Sequence, residues 1–486
     1  MDLDADTCYQ ALLARDRRFD GRFFVGVSST GIYCRPICAV RSPKQSNCSF
    51  FPSAAAAERA RFRPCLRCRP ELAPGYGLQD IGSRLAQAAA ALIEDGFLNG
   101  ANVAALARRV GVTERHLRRI FQAEFGASML DFALTQRLLM AKRLLTETPL
   151  PMTELALAAG FGSVRRFNGL FRTRYGLNPS QLRKHADVGS NAQTLTFLLA
   201  YRPPLAWDGL LAFLAHRRID GVENIGTDSY ARTIALQHGT REVIGWFKVA
   251  HLPQRFALSV TIPMSMASVA AAIPGRVRRL FDLGARPDLI DMHLGQLAAG
   301  QPGMRVPGAV DGFEIIVRAI VGQQISVVHA RSVLARIALR FGSEVDTAPP
   351  GLATTFPGAT VFAGLDPAAL QETGITRIRA EAIILAAIEV ASGRIALEPT
   401  APLGDTLAAL RRIRGIGEWT VQYVAMRALA WPNAFPEGDA VLTKQLGATD
   451  AAALRLHASR WEPWRAYAAV HLWRQFAEIS QTFNPT

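Results

Sequence analysis

Cysteine is absent from the last 418 residues of this 486-residue chain, and no apolar run approaches the 18 or so residues that a membrane-spanning helix needs. No short period appears, and glycine and proline, at 39 and 27, stand at ordinary levels. Collagen-like, coiled-coil and wholly disordered chains are thereby excluded. Asp2, Asp4 and Asp6 are followed by no apolar stretch, so no secretory signal is expected. These absences predict a soluble, cytoplasmic chain. At about 100 to 200 residues per domain the length predicts three or four domains, and hydrophobic residues, at 49%, supply their cores.

Basic residues exceed acidic ones, 55 to 40, for a formal net charge of +15. The excess is uneven: residues 1–190 carry 27 Lys+Arg and 16 Asp+Glu, and residues 191–486 carry 28 and 24. A basic first half points to a polyanionic partner, most commonly nucleic acid. The six cysteines, Cys8, Cys34, Cys38, Cys48, Cys65 and Cys68, all lie in the first seventh of the chain. A secreted disulfide framework would not crowd them so.

Composition separates four segments. The cysteine segment closes at the Pro74-Gly75 turn, and from about 80 to 186 the pattern is helical throughout. Asp187–Gln193, with Gly189, Ser190 and Asn191, reads as a linker. Residues 194–300 mix strand-like alternation (Phe256–Ile262) with helical runs. The rest is helical, broken by the Pro349-Pro350-Gly351 loop.

The helical segment repeats itself. Leu106-Ala107 and Gly111 recur 49 residues later as Leu155-Ala156 and Gly160. Thr113, Leu117, Phe121, Phe125 and Gly126 recur 50 residues later as Ser163, Phe167, Phe171, Tyr175 and Gly176. Apolar residues four apart share one helix face, glycine suits the turn between helices, and Thr113 and Ser163 are candidate N-caps. The second helix of each unit then exposes Arg115, Arg118 and Arg119, or Arg165, Arg166 and Arg172, as a recognition helix would. A plain helical repeat with a solvated arginine face is the alternative. The Phe161-Gly162-Ser163, Phe167, Phe171 run resembles the AraC-type DNA-binding domain.

Cys34-x3-Cys38 and Cys65-x2-Cys68 form two close pairs, the layout that suits tetrahedral zinc, while Cys8 and Cys48 fall outside them. Four-cysteine zinc sites are usually structural. Gly31-Ile-Tyr-Cys34-Arg-Pro36 and Phe62-Arg-Pro-Cys65-Leu-Arg-Cys68-Arg-Pro-Glu71, however, resemble the N-terminal zinc domain of the Ada methylation-response family over most of residues 7–72. That resemblance implies methyl transfer from a DNA methyl phosphotriester to Cys34, with Cys38, Cys65 and Cys68 remaining zinc ligands. Spacing alone does not single out Cys34. Coordination keeps a thiol ionised and nucleophilic. Methylating one sulfur would change the site's formal charge from about −2 to −1, lowering its repulsion from phosphates.

In the C-terminal half, Leu410-Arg-Arg-Ile413-Arg-Gly415-Ile-Gly417-Glu-Trp419-Thr-Val-Gln-Tyr423 joins two helices through a Gly-x-Gly turn, where backbone amides can approach a phosphate. Phe435-Pro-Glu-Gly-Asp439 follows, and Val321-Gly-Gln-Gln324-Ile-Ser326 precedes. From the residues alone Asp439 reads equally as a turn aspartate. Together with Arg202-Pro-Pro204, Leu280-Phe-Asp-Leu283, Gln301–Gly308 and Trp461–Arg465, these runs resemble AlkA-type 3-methyladenine DNA glycosylases over roughly 194–478. The resemblance implies a helix-hairpin-helix fold with Gly415 and Gly417 on DNA and Asp439 as the catalytic carboxylate. It places Trp419, Tyr423, Trp473 and Phe213 in an electron-rich pocket for a cationic flipped-out base; plain core aromatics are the alternative. Gln324 stands at the wedge position, where the family pattern has leucine. Trp419 stands where lyase-active relatives carry a Schiff-base lysine, so strand cleavage is not expected. Without cysteines after Cys68 an iron–sulfur cluster is impossible here, and no Pro-Cys-His-Arg motif marks an O6-methylguanine transferase.

The expected architecture is multidomain α+β: a small zinc-binding α/β domain (1–76), an all-α double helix-turn-helix domain (80–186), an α+β (TBP-like) domain (193–303) and an all-α helix-hairpin-helix glycosylase domain (304–486). The expected function is excision of N-alkylated bases, single-use methyl transfer and promoter binding. Expected partners are Zn2+, alkylated double-stranded DNA, promoter DNA and RNA polymerase, with no membrane and a monomeric chain. A methylation-sensing transcription factor with a non-catalytic glycosylase-like half, and a plain structural zinc protein, stay open.

Overall fold

A computed structural model describes residues 4–75, 84–184, 193–238 and 241–483. Helix α1 (Ala5–Leu13) precedes strands β1 (Phe24–Val27), β2 (Ile32–Cys34), β3 (Cys48–Phe51) and β4 (Arg63–Pro64), and helix α2 (Ala54–Arg59) lies between the last two. The sheet order is β3-β1-β2-β4, with β2 and β4 parallel and the other pairs antiparallel. Alternation along β1 sends Val25 into a core with Cys8 and Phe23, and Phe24 into another with Tyr33 and Ala57. Both faces of this small sheet are therefore covered.

The next helices are α3 (Arg84–Glu94), α4 (Val103–Val110), α5 (Glu114–Phe125), α6 (Met129–Glu147), α7 (Met152–Ala158), α8 (Val164–Tyr175) and α9 (Pro179–Lys184). Thr113 and Ser163 cap α5 and α8, accepting the backbone N–H groups of His116 at 3.3 Å and Arg166 at 3.2 Å, contacts typically worth about 1 kcal/mol each. The repeat in the sequence is thus a repeat of helix pairs, α4–α5 and α7–α8, joined by the long α6. Most of the predicted linker, residues 187–192, lies outside the described residues.

Strands β5 (Thr194–Ala200), β6 (Glu223–Ile225), β7 (Ser229–His238), β8 (Arg241–Leu252) and β9 (Ala257–Pro263) form an antiparallel sheet in the order β5-β9-β8-β7-β6, and α10 (Trp207–His216) follows β5. The strand expected from Phe256 starts one residue later. Phe256 takes a φ of +49°, and the Arg17 guanidinium stands 4.2 Å from its ring centroid. Then come α11 (Ile273–Leu280), α12 (Pro287–Leu294) and α13 (Gln296–Ala299).

The remainder is helical: α14 (Gly312–Val321), α15 (Val327–Phe341), α16 (Ala359–Ala363), α17 (Pro367–Gln371), α18 (Arg377–Ala391), α19 (Leu403–Arg411), α20 (Glu418–Arg427), α21 (Ala440–Leu446), α22 (Ala451–Ala458) and α23 (Arg465–Phe483). The loop through Pro349–Gly351 folds back on the sheet, where Asn224 donates to the Pro350 carbonyl at 2.7 Å.

One apolar core runs without a break from Leu138 in α6, through the five-stranded sheet, to Trp473 in α23. The segments also meet through buried polar groups. Glu58 of α2 accepts from Tyr33 and Tyr175 at 3.1 Å each and from Thr135 at 2.9 Å. Arg202, wholly buried, donates to the Asp20 and Gly284 carbonyls at 3.1 and 2.9 Å.

Burial pushes the Glu58 carboxyl up to about 7. Its folded value therefore lies above its unfolded one, so the native chain retains a proton that the unfolded chain releases near pH 4.5. The corresponding stability is complete below the unfolded value and is lost as pH rises through about 7. Comparing wild type with Glu58→Gln by chemical denaturation from about pH 5 to 8, the difference should shift in favour of the Gln variant by roughly 2 kcal/mol. A pH-independent difference would contradict this.

Candidate metal centre and candidate active site

Pairing of β2 with β4 brings the two cysteine pairs together. Cys34 ends β2, Cys65 directly follows β4, and the Cys65 N–H donates to the Tyr33 carbonyl at 3.0 Å. The four sulfurs of Cys34, Cys38, Cys65 and Cys68 all lie within 4.8 Å of one another. Tetrahedral zinc with bonds of about 2.3 Å needs sulfur–sulfur separations of about 3.8 Å, so donor type, number and spacing fit Zn2+. Cys8 and Cys48 stand apart from the cluster.

Arg35 supports this centre. Its backbone N–H donates to the Cys68 sulfur at 3.3 Å, and its guanidinium donates to the Cys68 carbonyl at 3.1 Å and pairs with buried Asp20. Contacts of this kind orient metal ligands and temper their charge. Arg35 was visible in the sequence only as part of the Gly31–Pro36 run, and nothing local marked Asp20. Exposure does not distinguish the acceptor: Cys34 is 6% exposed, against 4% and 5% for Cys38 and Cys65.

On the helix-turn-helix pair, Arg115, Arg118 and Arg119 are exposed on α5, and Arg165, Arg166 and Arg172 on α8. Leu117, Phe121 and Phe125, and in the second copy Phe167, Phe171 and Tyr175, fill the opposite, buried faces. Arg118 also pairs with Glu114 and Arg172 with Asn178.

A second site forms where α20, α21 and α23 converge. Asp439 is the N-cap of α21: its Oδ1 accepts the Val441 and Leu442 N–H groups at 3.0 Å and the Trp473 indole N–H at 3.1 Å. Its Oδ2 accepts the Trp419 indole N–H at 3.0 Å. Trp419 and Tyr423, one turn apart on α20, stack at 5.1 Å and 11°. Trp473 lies 6.2 Å from Tyr423 and 6.3 Å from Phe213 of α10. The residues expected in one pocket are thus adjacent, and two of the aromatics hold the carboxylate by hydrogen bonds.

Two arginines that no sequence motif marks pack against these aromatics. Arg217 lies 3.9 Å over the Phe213 ring, and Arg427 donates to the Tyr423 hydroxyl at 2.7 Å. Burial alone would raise the Tyr423 phenol, but the charges of Arg427 and Arg217 bring it below its ordinary value. A buried ion network behind them, Arg232–Glu314 at 2.7 Å and Arg318–Glu223 at 2.6 Å, lets Arg318 also donate to the Arg217 carbonyl at 2.6 Å.

The loop between α14 and α15 leaves Gln324 exposed with a φ of +55°. Its neighbour Gln323 does the anchoring, donating to the Gly415 carbonyl and Thr420 hydroxyl at 3.1 Å each. Gly415 has a φ of +93°, and a Cβ there would come within 3.0 Å of Ala382. Gly417 is the N-cap of α20.

Over 485 residues the chain is 35% identical to the "Probable bifunctional transcriptional activator/DNA repair enzyme AlkA" of Mycobacterium tuberculosis (strain H37Rv), covering 97% of this chain and 96% of that protein. The chain belongs to the bifunctional AlkA family. Three family models match its parts: the metal-binding domain of Ada at residues 7–71, a helix-turn-helix domain at 106–185 and the AlkA N-terminal domain at 196–311. DNA-3-methyladenine glycosylase 2 of Escherichia coli is 34% identical over 277 residues, 57% of this chain and 96% of that enzyme. The 3-methyladenine DNA glycosylase structure from Archaeoglobus fulgidus superposes with a TM-score of 0.50 at 21% identity, over 58% of this chain and 99% of that one. In this bifunctional AlkA chain the glycosylase fold therefore occupies the C-terminal part.

Purified protein should contain one Zn2+ per chain by elemental analysis, and Cys65→Ala should lose most of it, because three thiolates leave the tetrahedron open. Full retention by the variant would contradict the assignment.

Proposed function

We propose that the chain repairs alkylated DNA in two ways and reports the damage at promoters. The observation that carries the excision reading is the Asp439 carboxylate, clamped by the indoles of Trp419 and Trp473 beside the stacked Trp419–Tyr423 pair. An N-alkylated purine such as 3-methyladenine or 7-methylguanine is cationic, so its glycosidic bond is already weakened. Gly415 and Gly417 bring backbone N–H groups at the start of α20 towards a phosphate, and Gln324 enters the stack as the nucleotide turns out of the duplex. The aromatic faces receive the cationic base. Asp439 then faces the sugar, where its charge stabilises the developing oxocarbenium ion or draws a proton from the attacking water. With tryptophan at position 419 there is no amine for a Schiff base, so the product is an abasic site.

Cys34 is proposed as the methyl acceptor. Its sulfur attacks the methyl carbon of a phosphotriester; the S–C bond forms as the C–O bond breaks, and the electron pair leaves with the phosphodiester. Zn2+ bound by the four cysteines would keep that sulfur ionised near neutral pH. The exposed arginines of α5 and α8 are proposed to read promoter DNA, and RNA polymerase is the partner this activator role implies. We place a monomeric chain in the cytoplasm. Among the described residues no helix is long and apolar enough to cross a membrane.

Asp439→Asn should lower release of 3-methyladenine by on the order of 10²–10³. The amide keeps an oxygen for the α21 cap but deprives one indole N–H of its acceptor, so a parallel melting curve must show that the fold survives. Excision at the wild-type rate would show that another group supplies the chemistry, whereas no base release by the wild type itself would favour the reading in which this half binds damaged DNA without catalysis.

After incubation with methyl-phosphotriester DNA, peptide mass spectrometry should find the added methyl on Cys34, and affinity for DNA should then rise. A methyl on another cysteine, or unchanged affinity, would count against the acceptor assignment.

A further inference from the structure

Helix α2, from the zinc module, touches the C-terminal ends of both recognition helices. At its start the Ser53 hydroxyl donates to the carbonyl of Phe125, the last residue of α5, at 2.6 Å in a buried contact. The next residue, Gly126, packs so closely that a Cβ there would come within 3.1 Å of Pro52 and Ala56. Near the other end of α2, Glu58 accepts from the hydroxyl of Tyr175, the last residue of α8, at 3.1 Å.

The same module is bolted along α6, the helix that joins the two units. Glu58 accepts from Thr135 at 2.9 Å, Glu71 pairs with Lys142 at 2.6 Å, and Arg69 pairs with Glu147 at 2.5 Å. Lys142 and Glu71 are 2% and 3% exposed, so this pair is out of water. From Thr135 to Glu147 the attachment follows one helix for about 18 Å. The cysteine pairs sit on the same framework: Tyr33, the third donor to Glu58, directly precedes Cys34, and Arg69 directly follows Cys68.

A body fastened to the connecting helix and to the ends of both recognition helices fixes the vector between those helices. That vector matters on DNA. Helices entering successive major grooves must stand about 34 Å apart, one turn of the duplex, and each added base pair moves the second groove by about 3.4 Å and turns it about the axis.

We propose that the zinc module is the spacer of the promoter-reading domain, with Glu58 the positioning residue that fixes the separation at which α5 and α8 meet their two DNA segments. The proposal rests on the reading that both helices contact DNA. A buried carboxylate shared by three hydroxyls suits the role, because any movement of α8 against α2 leaves a donor or an acceptor unmatched inside the protein.

The test uses the full-length zinc-loaded protein and duplexes that the wild type selects from a randomised library, remade with base pairs inserted or removed between the two protected segments. Wild-type affinity should fall by about tenfold or more when roughly half a turn is inserted. Glu58→Leu should bind the best duplex less well and the shifted ones equally, so that the ratio collapses to within about twofold, while Glu58→Gln, which keeps an acceptor oxygen, should recover most of it. Zinc content and base release from methylated DNA, expected at wild-type levels, report that the variants fold. If Glu58→Leu does not fold, Tyr175→Phe removes a single hydroxyl and should lower the ratio by about threefold.

Uniform weakening at every spacing would show that Glu58 only stabilises the fold and would overturn the proposal, as would an unchanged spacing profile. Indifference to spacing in the wild type itself would overturn the underlying reading that both helices engage DNA, and the proposal with it. That outcome needs no variant to be recognised.

Discussion

A carboxylate taken out of water has to be given donors in place of its hydration, or its burial costs several kcal/mol. This chain places such carboxylates where its parts meet. Glu58 gathers three hydroxyls from β2, α6 and α8. Glu71 holds Lys142 of the connecting helix. Glu314 binds Arg232 and Arg318 between the five-stranded sheet and α14, and these charges hold its carboxyl down to about 2 despite burial. Apolar contact would let these surfaces slide; a carboxylate with directed donors permits few arrangements. The relative placement of the sheet, the glycosylase helices and the helix-turn-helix pair follows from that requirement together with the unbroken core from Leu138 to Trp473.

The candidate active site obeys the same rule in a different setting. Asp439 is tied by two backbone N–H groups at the start of α21 and by two indoles from α20 and α23. Three helices therefore agree on one carboxylate position, which is what a group acting on developing charge requires, since any freedom would be lost again in the transition state. The arginines behind Phe213 and Tyr423 extend the arrangement, because the network from Glu223 and Glu314 reaches Arg217 through Arg318. The domain of the five-stranded sheet thus meets the aromatic cluster through one helix, α10, and the charged groups beneath it.

The zinc centre is built from the opposite kind of element. Its ligands come from a strand end and tight turns, held by the parallel pairing of β2 with β4 and by Arg35, which spans Cys68 and Asp20. A centre of this type is assembled largely by its metal. Its attachment to the rest depends on the residues beside the ligands, Tyr33 and Arg69, whose partners lie on other elements. The ligand cysteines and the contacts that hold α5 and α8 are therefore adjacent along the chain as well as in space.

Whatever depends on neighbours a few residues away could be read directly. Cysteine spacing proposed the donor set, the four-residue apolar period with Thr113 and Ser163 defined the helix pairs, and the Gly415-x-Gly417 turn separated two helices. These follow from helix geometry, capping and coordination number, which act locally and leave a period in the sequence. The resemblance of particular runs suggested that Asp439 and the aromatics belong together, but their composition did not. That the Trp419 and Trp473 indoles, 20 and 34 residues from Asp439, both bond its carboxylate was decided by the packing of α20 against α21 and α23. The partnerships of Glu58 with Tyr175, Arg35 with Asp20 and Arg318 with Arg217 lie equally beyond the sequence. A buried polar group takes whichever partner the fold leaves within about 3 Å, and no periodicity records a choice made between residues so far apart along the chain.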